Sequence, residues 1–310
     1  MNAKPDPAPA DDDGTGGVSF LGPGAAAGAD GDETGALVVG TPVTGGQVWD
    51  GRILRGMVSG SNVRAMTTFV LVHGAWGGSY GFKYVRGPLR AAGHEVFTPS
   101  LTGIGERVHL ASPQVDLTTH VTDVVNTILY EDLTDIVLLG YSYGGMVVTG
   151  ALEYVADRVA HLVYLDAFKP ENGQALRDLS GAPYTAPAIG PGSTWLVEPL
   201  YRTLDDEGQV DWFQARRSWH PVGCFTEPVR LGQPLEDFPF TRTYVKALRE
   251  PRAAAGTGDS AFWRAAEHAK SNPAWRYREI DTDHMIPINK PAEMVELLLE
   301  LTPPGGAADA

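Results

Sequence analysis

Cysteine and basic residues are scarce in this chain of 310 residues, which has 1 cysteine and 24 lysines and arginines against 38 acidic residues. The single Cys224 excludes an internal disulfide and a zinc cluster built on cysteines. The formal net charge of −14 disfavours nucleic acid or an anionic membrane surface as a partner. We therefore expect no nucleic-acid partner.

Long apolar runs are missing as well. No run is long enough to cross a bilayer. The first residues carry Lys4 and the acidic cluster 11–13, without the apolar core of a signal peptide. These absences predict that the chain has no membrane partner and is cytoplasmic. Apolar residues nevertheless make up 43% of the chain, which is enough to bury a sizeable core.

The chain divides by composition and periodicity. Its first part is rich in Gly, Ala, Pro and Asp and has no sustained period, so we expect a disordered or loosely attached extension that can be removed. From Met66 onward, β-rich apolar runs alternate with helical patterns, which predicts an α/β fold with a mostly parallel sheet flanked by helices. The predicted parts are an extension at 1–65, a core at 66–168 and 240–302, a helical cap inserted at 169–239, and a flexible tail at 303–310.

One stretch combines a strand pattern, a sharp turn and a helix pattern. It runs from Asp135 to Val148, DIVLLGYSYGGMVV, and contains the spacing G-x-S-x-G around Ser142. Gly140 and Gly144 lack Cβ atoms, which lets strand and helix approach closely around a strained serine. An ordinary strand–helix turn can have the same residues, but the strand before and the helix after favour Ser142 as a nucleophile.

A second glycine-rich loop follows the first predicted strand. The run TTFVLV at 67–72 leads into His73, Gly74, Ala75 and Trp76. Together with the serine turn, this loop predicts an oxyanion hole. Its two donors would be the backbone N–H groups of Ala75 and Tyr143. Both are backbone groups, and no cluster of His, Asp and Glu has convincing ligand spacing, so we expect neither a cofactor nor a metal.

A serine nucleophile needs a base, and the base needs a carboxylate that fixes its tautomer. Ser142, Glu250 and His284 each follow a predicted strand and have the chain order Ser, acid, His. His284 is therefore the predicted base and Glu250 the preferred acid. Asp166, which follows the strand before the cap, is the alternative acid.

Four residues near these positions are candidates for the wall of a substrate pocket. Trp76 and Tyr141 adjoin the two glycine-rich turns, and Met285 follows the predicted base. His109 lies in the loop at 100–115, at the carboxyl end of a predicted strand, where open α/β sheets bind ligands. A hydrogen-bonded loop histidine is the alternative interpretation of His109.

The chain from 66 to about 302 resembles a group of α/β-hydrolases that includes plant methyl-ester esterases, plant hydroxynitrile lyases and bacterial pyrethroid-type carboxylesterases. The resemblance rests on five segments in the same order: FVLVHGAWGG at 69–78, LLGYSYGGM at 138–146, LVYLDAF at 162–168, TYVKALRE at 243–250 and DTDHM at 281–285. It implies the α/β-hydrolase fold with a cap and the roles of Ser142, His284, Ala75 and Tyr143 given above. Relatives usually have Asp where this chain has Glu250.

The resemblance also bears on the reaction. Lyase relatives carry a lysine directly after the catalytic histidine and a threonine in the oxyanion loop, where this chain has Met285 and Gly74. The sequence therefore favours a serine hydrolase that cleaves a small hydrophobic ester or lactone through an acyl-enzyme. The alternatives are a lyase or cyclase acting on a natural-product intermediate and a receptor-like protein that binds its ligand without chemistry.

Overall fold

The computed structural model describes residues 66–185, 194–252 and 260–301. Within them, six strands form one sheet. The strands are β1 (Thr68–Val72), β2 (Glu95–Phe97), β3 (Ile136–Tyr141), β4 (Val159–Leu165), β7 (Thr241–Ala247) and β8 (Arg276–Ile280). Their order across the sheet is β2-β1-β3-β4-β7-β8, and all neighbours are parallel. The carboxyl ends of the strands therefore meet at one edge, which confirms the predicted sheet.

Helices cover both faces of this sheet. The helices of the core are α1 (Lys83–Ala91), α2 (Leu117–Tyr130), α3 (Gly144–Val155), α7 (Ala261–Ser271), α8 (Ile286–Asn289) and α9 (Pro291–Glu300). Apolar side chains of α2, α3 and α7 share one core cluster, and those of α1, α8 and α9 share the other. The strands supply both clusters because successive side chains point to opposite faces, as Phe69 and Val70 do.

The cap between β4 and β7 is built from short pieces. It contains the helices α4 (Leu176–Ser180), α5 (Val210–Gln214) and α6 (Gly223–Thr226) and an antiparallel pair of strands, β5 (Leu196–Val197) and β6 (His220–Pro221). The strand pair was not predicted, because two residues are too few for a period. Cys224 and Phe225 are fully buried in the cluster of α2 and α3, so the cap is packed against the core.

Two helices of the core begin at polar N-cap residues. The sequence pattern predicts Thr118 or Thr119 as the N-cap of α2, but the N-cap is Asp116, whose carboxylate accepts from the N–H of Thr119. Thr119 completes the capping box with its own side chain. The N-cap of α7 is Ser260, whose hydroxyl accepts from the N–H of Trp263.

Two predictions fall on parts of the chain that are not described. The predicted extension at 1–65 and the predicted tail at 303–310 both lie outside the described residues. Among the helices in the described ranges, none combines the length and the apolar character needed to cross a membrane.

Candidate active site

Ser142 lies at the carboxyl edge of the sheet, directly after β3, in a strained backbone conformation with φ of +56°. Its carbonyl accepts from the N–H groups of Gly145 and Phe168, both at 3.1 Å, and these bonds fix the turn. A Cβ atom on Gly144 would lie 2.5 Å from the carbonyl oxygen of Val72. The predicted close approach of strand and helix is therefore present, and only glycine fits there.

His284 lies in the turn between β8 and α8 and faces the serine. Its Nε2 is 2.8 Å from the Ser142 Oγ, and the ring is almost completely buried. Tyr141 donates a hydrogen bond from its hydroxyl to the His284 carbonyl at 2.8 Å, and the Phe262 ring stacks on the imidazole at 4.9 Å. Since backbone and ring are both held, the imidazole has a fixed position against the hydroxyl.

Asp166, the alternative acid of the sequence analysis, is the carboxylate that contacts the ring. Its Oδ2 is 2.7 Å from the Nδ1 of His284, and its side chain is fully buried. It directly follows β4 and has φ of +41°, a second strained residue beside Ser142. Nδ1 bonded to a carboxylate carries the proton, which leaves the Nε2 lone pair for the serine hydroxyl.

The preferred acid, Glu250, is placed differently from the prediction. Its Oε1 accepts from the backbone N–H of His284 at 2.9 Å and from Arg202 at 3.3 Å. The expectation that Glu250 contacts the imidazole is therefore wrong in geometry. The carboxylate that follows β7 is used to hold the backbone of His284, while the ring is turned toward β4.

The charge of Asp166 is stabilised by its neighbours. Burial by itself raises the pKa of this carboxyl, but the hydrogen bond and charge of His284 and the charge of Lys246 bring the pKa below its usual value. Lys246 Nζ lies 2.7 Å from the Asp166 Oδ1, and both side chains are fully buried. The lowered pKa of Asp166 favours its ionised carboxylate at neutral pH.

The loop after β1 lies against Ser142 as predicted. A Cβ on Gly74 would lie 2.9 Å from the Ser142 Cβ, so the loop backbone touches the serine. Trp76 has φ of +60°, and its N–H donates to His220 Nδ1 at 3.2 Å. Within the ranges that the structure describes, the N–H groups of Ala75 and Tyr143 donate to no other group. Both amides are thus available beside the hydroxyl.

A cavity of about 180 Å³ opens onto Ser142 and His284. Its walls are mainly aromatic and apolar and include the predicted Trp76, Tyr141 and Met285. His109, also predicted for the pocket, is exposed on a 3₁₀ turn and is not among the described residues that line it. The pocket therefore suits a small, largely hydrophobic molecule.

Three buried side chains that could ligate a metal lie together behind the oxyanion loop: His120, His220 and Cys224. Both nitrogens of His120 have partners, the Tyr143 hydroxyl at 2.9 Å and the Thr102 carbonyl at 2.7 Å. His220 Nδ1 accepts from an amide, so its proton is on Nε2. Burial raises the pKa of the Cys224 thiol well above its usual value. The donor set therefore does not fit a metal ion.

Sequence reasoning missed two residues of this site, Lys246 and His220. Lys246 stands between Val245 and Ala247 in an apolar strand pattern, and a charge in a buried strand needs a partner, which is a signal that was available. His220 stands in the irregular cap, where no period indicates which side chains point inward. Its contact with Trp76 spans 144 positions of sequence.

The chain is similar to known esterases and to a solved alpha/beta-hydrolase structure. An esterase from Nocardioides sp. that hydrolyses carbendazim is 34% identical over 254 residues, which are 76% of this chain and 100% of that protein. Methylesterase 1 of Arabidopsis thaliana is 32% identical over 114 residues, 33% of this chain and 40% of that protein. Among solved structures, an extracellular alpha/beta-hydrolase from a Paenibacillus species has a TM-score of 0.61 at 23% identity, covering 76% of this chain and 98% of that one.

The family model that matches the chain is that of the alpha/beta hydrolase family, over residues 69–297. The match spans both core segments and the cap, and it begins within β1, at the strand that carries the oxyanion loop. The mostly parallel sheet flanked by helices is the one that the resemblance implied. The fold and the resemblance are thus confirmed, and the chain belongs to the alpha/beta hydrolase family.

Proposed function

We propose that this chain is a serine hydrolase that cleaves a small hydrophobic carboxylic ester through an acyl-enzyme, with Ser142 as nucleophile, His284 as base and Asp166 as acid. Ester hydrolysis as the class of activity agrees with the two curated relatives described above, which are named as an esterase and a methylesterase. The observation that carries the proposal is the unbroken chain of contacts from Asp166 through His284 to Ser142, at 2.7 Å and 2.8 Å.

The geometry supports each step. Ser142 Oγ attacks the ester carbonyl while His284 Nε2 takes the hydroxyl proton, and ionised Asp166 stabilises the resulting imidazolium. The free amides of Ala75 and Tyr143 donate to the oxyanion that develops. The proton on His284 then passes to the leaving alcohol. Water, deprotonated by the same imidazole, attacks the acyl-enzyme. The imidazolium then returns its proton to Ser142 Oγ as the carboxylic acid product leaves.

Two features disfavour the lyase alternative. Met285, which follows the base, is buried and offers no cation. Gly74 has no room for a threonine, because even a Cβ atom there would lie 2.9 Å from the Ser142 Cβ. At these two positions the site therefore lacks the lysine cation and the threonine hydroxyl that the lyase relatives have. A receptor without chemistry would not need the strained, fully connected Ser142–His284 pair.

The proposal is tested with p-nitrophenyl acetate and, as the second substrate, carbendazim, for which the Nocardioides relative is named. We expect Ser142→Ala to lower the rate by roughly 10⁴-fold or more, and the wild-type chain to accumulate an acetyl group on Ser142 that mass spectrometry detects. The matched control is Ser271→Ala, a change on the exposed side of α7 that should leave the rate unchanged. Full activity of Ser142→Ala would refute the proposal.

The predictions of a cytoplasmic location and of no nucleic-acid partner go further than these contacts. Supporting them are the free, buried Cys224, which fits a compartment that keeps thiols reduced, and the net charge of −14. Fractionation of cells that express the chain would test the first prediction. Retention on heparin at low salt would contradict the second.

A further inference from the structure

Lys246 is a fully buried lysine at the end of β7. Its Nζ donates to the Asp166 Oδ1 at 2.7 Å and to the Ala247 carbonyl at 2.6 Å, and it lies 4.5 Å from the centre of the Trp263 ring. An ammonium group without contact to water is costly unless it is paired and hydrogen-bonded. The ammonium group is thus surrounded by Asp166, the Ala247 carbonyl and the Trp263 ring.

The sheet itself places this lysine. Leu165 of β4 pairs with Val245 of β7, so Asp166 and Lys246 occupy the next positions on neighbouring parallel strands. The two oxygens of the carboxylate then have separate partners. Oδ1 accepts from Lys246 and from the N–H of Ala247 at 3.3 Å, and Oδ2 faces His284. The cation therefore fixes which oxygen points at the imidazole.

We propose that Lys246 is a positioning residue of this site, acting through Asp166 to hold the buried carboxylate ionised with its Oδ2 turned toward His284. The inference rests on the proposed function, since it assigns a role toward the same triad. It differs from a purely structural role in one respect: the effect of Lys246 on catalysis exists only while residue 166 is a carboxylate.

Removing the cation has a definite consequence for pH dependence. Asp166 and His284 are a hydrogen-bonded pair, and loss of the positive charge beside Asp166 favours the protonated form of its carboxyl. The acidic limb of the kcat/KM profile therefore moves to higher pH. The other titratable and charged groups around the pair stay unchanged: Tyr141 on β3, Tyr244 on β7, Tyr277 on β8, Glu250, Asp283 and, from the cap, Arg202.

The experiment is a double-mutant cycle on the full chain with p-nitrophenyl acetate. Lys246→Met should lower kcat about 10- to 100-fold, the range expected for strongly coupled neighbours, with a smaller change in KM. It should also move the acidic limb upward. In the Asp166→Asn background, adding Lys246→Met should change kcat by less than about twofold, because the amide has no charge to hold. Lys270→Met, an exposed lysine of α7, is the matched control.

Lys246→Gln serves as the second variant where Lys246→Met does not fold. It keeps a hydrogen-bond donor but loses the charge, so it should show the same direction of shift in the acidic limb. Unchanged kcat and pH profile in a folded Lys246 variant would overturn the inference, and so would an equal loss in both backgrounds. Ser142→Ala separates the two proposals: if it is fully active the proposed function fails, whereas inactive Ser142→Ala beside unaffected Lys246 variants sinks only the inference.

Discussion

At the scale of single residues, Asp166 and Glu250 bind different parts of His284. Asp166 bonds to the ring, and Glu250 bonds to the backbone N–H and to Arg202. The first contact sets the tautomer and stabilises the imidazolium, whereas the second keeps the histidine turn in place. Asp166→Asn and Glu250→Gln are therefore expected to lower kcat by very different factors.

Asp166→Asn should lower kcat by about 10⁴-fold, the cost known for the corresponding change in the triad proteases. Glu250→Gln should lower it by no more than about tenfold, because the amide oxygen still accepts from the His284 N–H. Steady-state rates on p-nitrophenyl acetate give the ranking, with circular dichroism to show that both variants are folded. A larger loss for Glu250→Gln would return Glu250 to the role of acid.

The sequence could predict that Ser142 and His284 come together, as the structure has them, because the turn chemistry around the serine and the position after the last strand are both local. It could not choose the acid, since chain order admits a carboxylate after either β4 or β7. The choice depends on the strained backbone of Asp166 and on the direction of the His284 ring, neither of which a strand period contains. Lys246 shows the same limit, because its partner lies 80 positions away.

At the scale of elements, the loop after β1 is held from two sides. From the core, His73 accepts from the N–H of Leu101 through Nε2 at 3.2 Å, so its Nδ1 donates to the Gly74 carbonyl at 2.9 Å. From the cap, His220 accepts from the N–H of Trp76, and the N–H of Ser218 donates to the Trp76 carbonyl at 3.1 Å. The loop is thus fixed before substrate binds.

Gly74→Ala should displace this loop, because the new Cβ would lie 2.9 Å from the Ser142 Cβ and 3.4 Å from its Oγ. Displacing the Ala75 amide should lower kcat by roughly 10²-fold, the cost of losing one oxyanion donor. Gly87→Ala is the matched control, since a Cβ on this exposed residue of α1 meets nothing within 4 Å. Wild-type kcat in Gly74→Ala would show that the loop can accommodate the Cβ atom without displacing the Ala75 amide.

The regular elements were predictable because their periodic patterns extend over many residues. The sequence pattern predicts a helix over 117–130 and strands over 241–248 and 275–280. The structure has α2 at Leu117–Tyr130, β7 at Thr241–Ala247 and β8 at Arg276–Ile280. The cap was predictable only as an interruption of the alternating strand and helix patterns. Its helices have four or five residues each, which is too short to show a period, and its position depends on contacts with distant parts of the chain.

At the scale of the whole molecule, buried neutral histidines link stability to pH. Burial lowers the pKa of His120 and of His161 to about 4. Burial also lowers the pKa of His73, and it lowers that of His220 well below its usual range. In the unfolded chain each imidazole regains its ordinary pKa of about 6.5. Between about pH 4 and about pH 6.5 the unfolded state therefore binds more protons than the folded state.

The free energy of unfolding should therefore be highest above about pH 6.5 and fall as the pH drops toward 4, by up to about 1.4 kcal/mol per pH unit for each such histidine. Urea unfolding at about pH 7, 6 and 5 measures this slope. His161→Gln should flatten it by the share of one histidine while preserving activity. Among the described residues His161 bonds to threonine hydroxyls of β7 near the amino end of β4, whereas Asp166 follows the carboxyl end of that strand. A slope unchanged in His161→Gln would contradict this account.

The register between β3 and β4 pairs Tyr141 with Leu165, so Ser142 and Asp166 are each the next residue after a paired position. Both precede the cap in the chain, and His284 follows it. An engineered chain can therefore carry a different segment between β4 and β7 while the register that places Ser142 beside Asp166 is kept. Such a segment must replace the contacts that the present one makes with the site: an acceptor for the Trp76 amide, as His220 provides, a donor to the Trp76 carbonyl, as Ser218 provides, and a partner for Glu250, as Arg202 provides.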